Sequence, residues 1–151
     1  MLITNHVLSG ALVGTALRRR PALAFVAGVA SHVAMDCLPH WGLHGVPQSD
    51  ERFLRVARRD GTAGLAAMTA CALAAPARLR PALLAAMAGA TVLDVDKPAK
   101  HFFGWNPVPE RLQGFHERIQ REAPHRLRGE VLAGAALMAL AAAALSSRRS
   151  V

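Results

Sequence analysis

The sequence contains no tyrosine, and two tryptophans and five phenylalanines leave it poor in aromatics although 52% of it is hydrophobic. Its apolar content is therefore mostly Ala, Leu and Val, a composition that favours helices. Cysteine is almost absent too. Cys37 and Cys71 form no CxxC pair and fall in apolar stretches, which argues against a zinc knuckle or a disulfide and leaves both as small buried hydrophobes. Acid is scarce, with ten Asp and Glu against eighteen Lys and Arg and a net charge of +8. That balance suits nucleic acid, an anionic lipid surface or an acidic substrate. No recognised nucleic-acid-binding motif accompanies the basic residues, so that reading ranks last and no nucleic-acid partner is expected. A cleavable signal is also missing, because the first basic cluster follows the first apolar run instead of preceding it.

What is present is a succession of short apolar runs within a length of 151 residues, one domain's worth. The first spans Ile3 to Leu17, with Gly10 and Gly14 at the GxxxG spacing that lets a neighbouring helix approach closely. Arg18, Arg19 and Arg20 end it, and Pro21 opens a second helix to about Leu38. A Gly/Pro loop carrying His44, Gly45 and Pro47 leads to a short surface helix, Asp50 to Arg59. Asp60 then reads as the cap of a third helix, Gly61 to Ala75. A fourth runs from Pro81 to about Val95. After a polar segment with an amphipathic piece from Pro109 to Glu122, a fifth runs from about His125 to Ala144, and Arg148 and Arg149 close the chain. Pro21-Ala22-Leu23 and Pro81-Ala82-Leu83 echo one another, and the same offset sets Asp36 opposite Asp96.

These elements predict an all-α, up-down bundle of about five short Ala-rich helices. Alternating directions sort the chemistry. The connections at 18–20, 78–80 and 148–149 fall at one end, which carries Arg and no acid. All ten acids, all seven histidines and six of the seven aromatics fall towards the other. The apolar runs of the third and fifth helices approach the length of about 17 residues needed for a membrane span, and a thin membrane-embedded bundle with charged ends at the interface is favoured.

At the acidic end, Ser31-His32-x-x-x-Asp36 places an imidazole and a carboxylate on one helix face, with His40 just beyond. Burying that carboxylate without a partner is costly. A metal ion would supply one, as in other helical metal sites, and would also offset Asp94 and Asp96 against the helix dipole. His116 with Glu117, and His125 with Glu130, read as surface residues by default, and His44 as solvent-exposed.

The His32-x-x-x-Asp36 helix and the later Asp94-x-Asp96 turn resemble the YdjM-like, membrane-associated metal-dependent hydrolases of the inner membrane. More distantly, they are similar to the metal-binding helices of zinc-dependent phospholipase C and the related single-strand nucleases. Leu93 and Lys97 stand where that family's acidic turn carries Pro and His. The resemblance implies that His32, Asp36, Asp94 and Asp96 hold one or two divalent ions, with His6, His40, Asp60 and His101 as further ligands or supporting partners. Zinc is preferred over manganese or iron. It also implies a bound water acidified to a pKa of about 7, with His116 or a carboxylate such as Asp60 as general base. The substrate would be a small-molecule or lipid ester or phosphoester, and the partner the membrane lipid itself. The competing reading is a non-catalytic membrane protein that uses buried His and Asp for helix pairing or proton passage.

Overall fold

The computed structural model describes residues 1–43 and 51–147. His44, Gly45, Pro47, Asp50, Arg148 and Arg149 lie outside them. The described chain forms seven α-helices: α1 (Ile3–Leu17), α2 (Pro21–Asp36), α3 (Glu51–Ala74), α4 (Arg80–Thr91), α5 (Asp96–Phe103), α6 (Glu110–Ile119) and α7 (Leu127–Ser146). Two short strands, β1 (Pro39–His40) and β2 (Arg121–Glu122), pair in parallel. The all-α expectation holds.

α1 and α4 form the centre because small residues allow it. A Cβ on Gly10 would lie 2.8 Å from the Met87 Cα, and one on Gly14 would lie 2.5 Å from the Leu83 Cα. The GxxxG face therefore meets α4, with the two helices antiparallel. Around this crossing, Val7, Leu8 and Ala11 of α1 pack with Cys71 of α3, Leu83 and Met87 of α4, and Ala141 and Leu145 of α7. On the other side of α4, Ala24 of α2 packs against Ala82 and Ala86. α2 and α4 run parallel, so both end where α1 begins.

The structure redraws several boundaries. α2 stops at Asp36, and the chain turns into β1. α3 is one continuous helix of 24 residues, so Asp60 lies inside it and does not cap its start. Asp60 caps another helix: it accepts the Ile3 and Thr4 amides and the Thr4 hydroxyl, at 2.5, 3.2 and 2.6 Å, which satisfies the exposed N–H groups that open α1. With its carboxylate drawn away, Asp60 does not compete with the α3 backbone, and the helix continues through it. After Thr91 a 3-10 turn, Val92–Asp94, leads into α5. α5 ends at Gly104, whose φ of +71° is the left-handed closure typical of a helix C-terminus. Cys71 is buried as expected, but Cys37 is exposed because α2 has ended.

Candidate metal centre

Four elements converge at the end where α1 begins. α1 brings His6, α2 brings His32 and Asp36 one helical turn apart, the turn after α4 brings Asp94, and α6 brings His116, all of them buried. Asp36 is the hub. Its Oδ2 lies 3.0 Å from His32 Nε2 and 2.8 Å from His116 Nε2, and those two nitrogens are 3.0 Å apart. Its Oδ1 lies 3.2 Å from His6 Nε2 and 3.5 Å from the Met1 amine. Asp94 Oδ2 stands 4.0 Å from His6 Nε2. The His6 and His32 rings stack, with centroids 4.0 Å apart and an interplanar angle of 17°.

The hydrogen positions can be reasoned out. His32 Nδ1 is 2.7 Å from the Ala90 carbonyl oxygen, which only accepts, so Nδ1 carries the proton there. In the neutral ring, Nε2 then presents a lone pair to Asp36 and to His116. His32 Nε2, His116 Nε2 and Asp36 Oδ2 form a triangle with sides of 3.0, 2.8 and 3.0 Å. At least two of its corners hold lone pairs whichever tautomers are chosen. Both nitrogens of His6 and Asp36 Oδ1 are buried with no aligned hydrogen-bond partner. A cluster of electron pairs in a buried place needs positive charge at its centre. A tetrahedral site with bonds of about 2.0–2.1 Å separates its ligand atoms by about 3.3 Å, close to the spacing here. The donor set of imidazoles and carboxylates therefore fits a divalent ion, with His6, His32 and Asp36 as one grouping and His32, Asp94 and His116 as an overlapping one.

Around the cluster the electrostatics are arranged in support. Burial alone would push the Asp94 carboxyl up, but the Lys97 ammonium, 2.5 Å from Oδ1, holds it below the usual range. Burial would likewise lower Lys97, and Asp94 raises it instead. His40 is wholly buried, with Nδ1 2.8 Å from the Leu38 carbonyl oxygen and Nε2 without a partner, and burial pushes its imidazole down. The β1–β2 bridge fixes that position, setting His40 opposite Glu122, and the Ala123 amide donates to the His40 carbonyl oxygen at 2.9 Å.

Against expectation, two residues stand apart. His101 is exposed on α5, edge-on to Phe102, because Asp96 and Ala99 take that helix's inward face. Asp60 is occupied at the start of α1. Asp96 is buried, one oxygen 3.4 Å from Lys100 Nζ and the other unpartnered. His125 lies exposed in a 3-10 turn, as expected. His116 is not a surface residue: it is buried on the inward side of α6, beside the half-buried Gln113, Ile119 and Gln120, where it meets Asp36. Glu130 is likewise buried, accepting from the Leu2 amide at 3.1 Å and from Asn5 Nδ2 at 2.9 Å, which ties α7 to α1. The one signal for that pair was Asn5, a polar residue in an otherwise apolar run.

No family model, curated protein or solved structure matches this chain.

Proposed function

We propose that this chain is a membrane-embedded, metal-dependent hydrolase acting on a phosphoester or ester, in keeping with its resemblance to the YdjM-like hydrolases of the inner membrane. The observation that carries the reading is the convergence of His6, His32, His116, Asp36 and Asp94 at one buried place, where both His6 nitrogens and Asp36 Oδ1 have no hydrogen-bond partner. A divalent ion there, zinc by preference, supplies polarisation of the substrate oxygen and a water acidified to a pKa of about 7. The chain supplies the rest. The Ala90 carbonyl orients His32 as supporting hydrogen bonds orient metal-binding histidines generally. Lys97, beside Asp94 and partly exposed, is placed to offset negative charge on a substrate.

The membrane part of the reading rests on α7. Among the described residues, Pro124–Ser146 is the helix long and apolar enough to cross a bilayer, and only 17% of its span is buried. Here Val131, Leu132, Met138 and Leu140 face outward, as do Leu23 and Val26 of α2, Leu65 and Leu73 of α3 and Leu84 of α4. That apolar flank suits acyl chains.

Elemental analysis of purified protein beside Asp36→Ala and His116→Ala tests the site, with cobalt substitution as a spectroscopic check. Stoichiometric metal in the wild type, lost in both variants, is the expected result and justifies screening phosphoesters and lipid esters. Metal-free protein under gentle purification, with variants that fold normally, sinks the hydrolase and leaves helix pairing or proton handling.

A further inference from the structure

Beside the metal-binding cluster lies an apolar surface that no part of the bundle covers. On α5, Phe102 and Phe103 are 69% and 74% exposed, and Trp105, just past the Gly104 turn, is 58% exposed. Val95, Pro98 and Phe102 follow at helical spacing and are all exposed. On α6, Leu112 and Phe115 stand one turn apart and are also exposed. Glu110, Arg111, Glu117 and Arg118 occupy the other side of α6, so it is an amphipathic helix with its apolar face largely open. A protein with few aromatics has placed most of its rings outside.

Their surroundings identify what meets them. Residues 94–128 carry seven basic against five acidic side chains; Lys97 and Lys100 pair with Asp94 and Asp96, while Arg111, Arg118, Arg121, Arg126 and Arg128 are exposed and complement anionic headgroups. α7 begins at this same end of the bundle and exposes Val131 and Leu132 in its first two turns. Rings interleaved with cations where a lipid-facing flank ends are the composition of a membrane–water interface.

We infer that the face formed by Phe102, Phe103, Trp105, Leu112 and Phe115 rests in the headgroup layer of an anionic bilayer. This rests on the membrane part of the proposed function and is independent of the hydrolytic part. α5 and α6 lie along the surface with their rings among the upper acyl carbons. The same two helices turn Asp96 and His116 inward, so the metal-binding cluster is held at headgroup depth, where a lipid headgroup could reach it.

Trp105 is a built-in probe, since Trp41 is the other tryptophan of the chain. The full chain carrying Trp41→Phe is reconstituted into vesicles of phosphatidylcholine and phosphatidylglycerol, and its emission is measured with aqueous iodide and with lipids brominated near the headgroup or near the chain end. Shallow bromination should reduce emission about twofold, deep bromination less, and iodide little, as for a ring in the interfacial belt. Phe102→Ser with Phe103→Ser, both at exposed sites, should restore iodide access without altering metal content. Iodide quenching as strong as for free tryptophan, with no effect of brominated lipid, overturns the inference. If the protein then stays with the vesicles through an alkaline wash, the membrane reading survives alone; if it washes off, both fail. Shielding from iodide and from brominated lipid together would mean that protein, a second copy or a partner, covers the face, and would equally overturn it.

Discussion

At the end where α1 passes to α2, Arg18, Arg19, Arg20 and Arg78 line an open cleft of about 460 Å³ with Leu17 and Leu79, and all four arginines are exposed residues. At the opposite end, His6, His32, His116, Asp36 and Asp94 are packed out of solvent within a few ångströms of one another. Charge at the arginine end stands at the surface, where exposed side chains such as Arg19 are energetically replaceable. Charge at the histidine end is satisfied only collectively, and removing one member strands the others. The largest expected effects therefore lie at Asp36. Asp36→Ala should destabilise the fold by about 3–5 kcal/mol as the buried cluster loses the carboxylate that three imidazoles pack around, whereas Arg19→Ala should stay within about 0.5 kcal/mol. Thermal midpoints in detergent would check both. Equal losses would erase the contrast. Where metal is bound, His116→Ala should weaken its affinity about 10–100-fold, measured by competition with a chelator.

The middle of the bundle sharpens the comparison, since it holds no charge to satisfy and depends on fit alone. Gly14→Val forces a side chain against the Leu83 backbone and should cost about 1–3 kcal/mol. Gly61→Ala meets nothing within 4 Å and, inside the continuous α3, should stabilise by about 0.5–1 kcal/mol. A gain at Gly61 would also confirm that α3 runs unbroken through Asp60. Asp60→Ala should cost about 0.5–2 kcal/mol through the lost cap of α1, with metal content unchanged because Asp60 bonds only to Ile3 and Thr4 among the described residues.

How much of this was readable beforehand follows from how local each signal is. α1 was legible to the residue, because an apolar run closed by three arginines has one helical reading. The sorting of acids and histidines to one end needed only alternating helices, and of the expected ligands His6, His32, Asp36 and Asp94 meet there, while His40 and Asp96 are buried outside those groupings and His101 is exposed. Asp60 was misread because its cap belongs to a helix 57 residues away, and an Asp-Gly pair looks the same in sequence whichever helix it caps. His116 and Glu130 were misread for a related reason. Polar residues on amphipathic stretches default to the surface, and only the docking of α6 on α2 and of α7 on α1, with Asn5 and Glu130 125 positions apart, buries them. The β1–β2 bridge, two residues on each side, carries no pattern long enough to detect.

The smallest expected effect concerns His40, which belongs to the collective end but is held by the backbone. Its imidazole is buried and neutral, with Nδ1 engaged by the Leu38 carbonyl, and its folded pKa lies below the ordinary 6.5. Below pH 6.5 the unfolded chain therefore binds a proton that the folded chain refuses, so this contribution to stability is complete above that value and declines as the pH falls. From pH 7 to 6 one such group should remove at most about 0.7 kcal/mol. His40→Asn keeps a side-chain donor near the Leu38 carbonyl and cannot titrate, so its thermal midpoint should fall less between pH 7 and 6 than that of the wild type. A midpoint that falls more in the variant than in the wild type would mean that His40 is protonated in the fold, and would move it from the neutral backbone-held group into the charged cluster; an unchanged slope would mean that it titrates alike in both states, and would equally overturn the prediction.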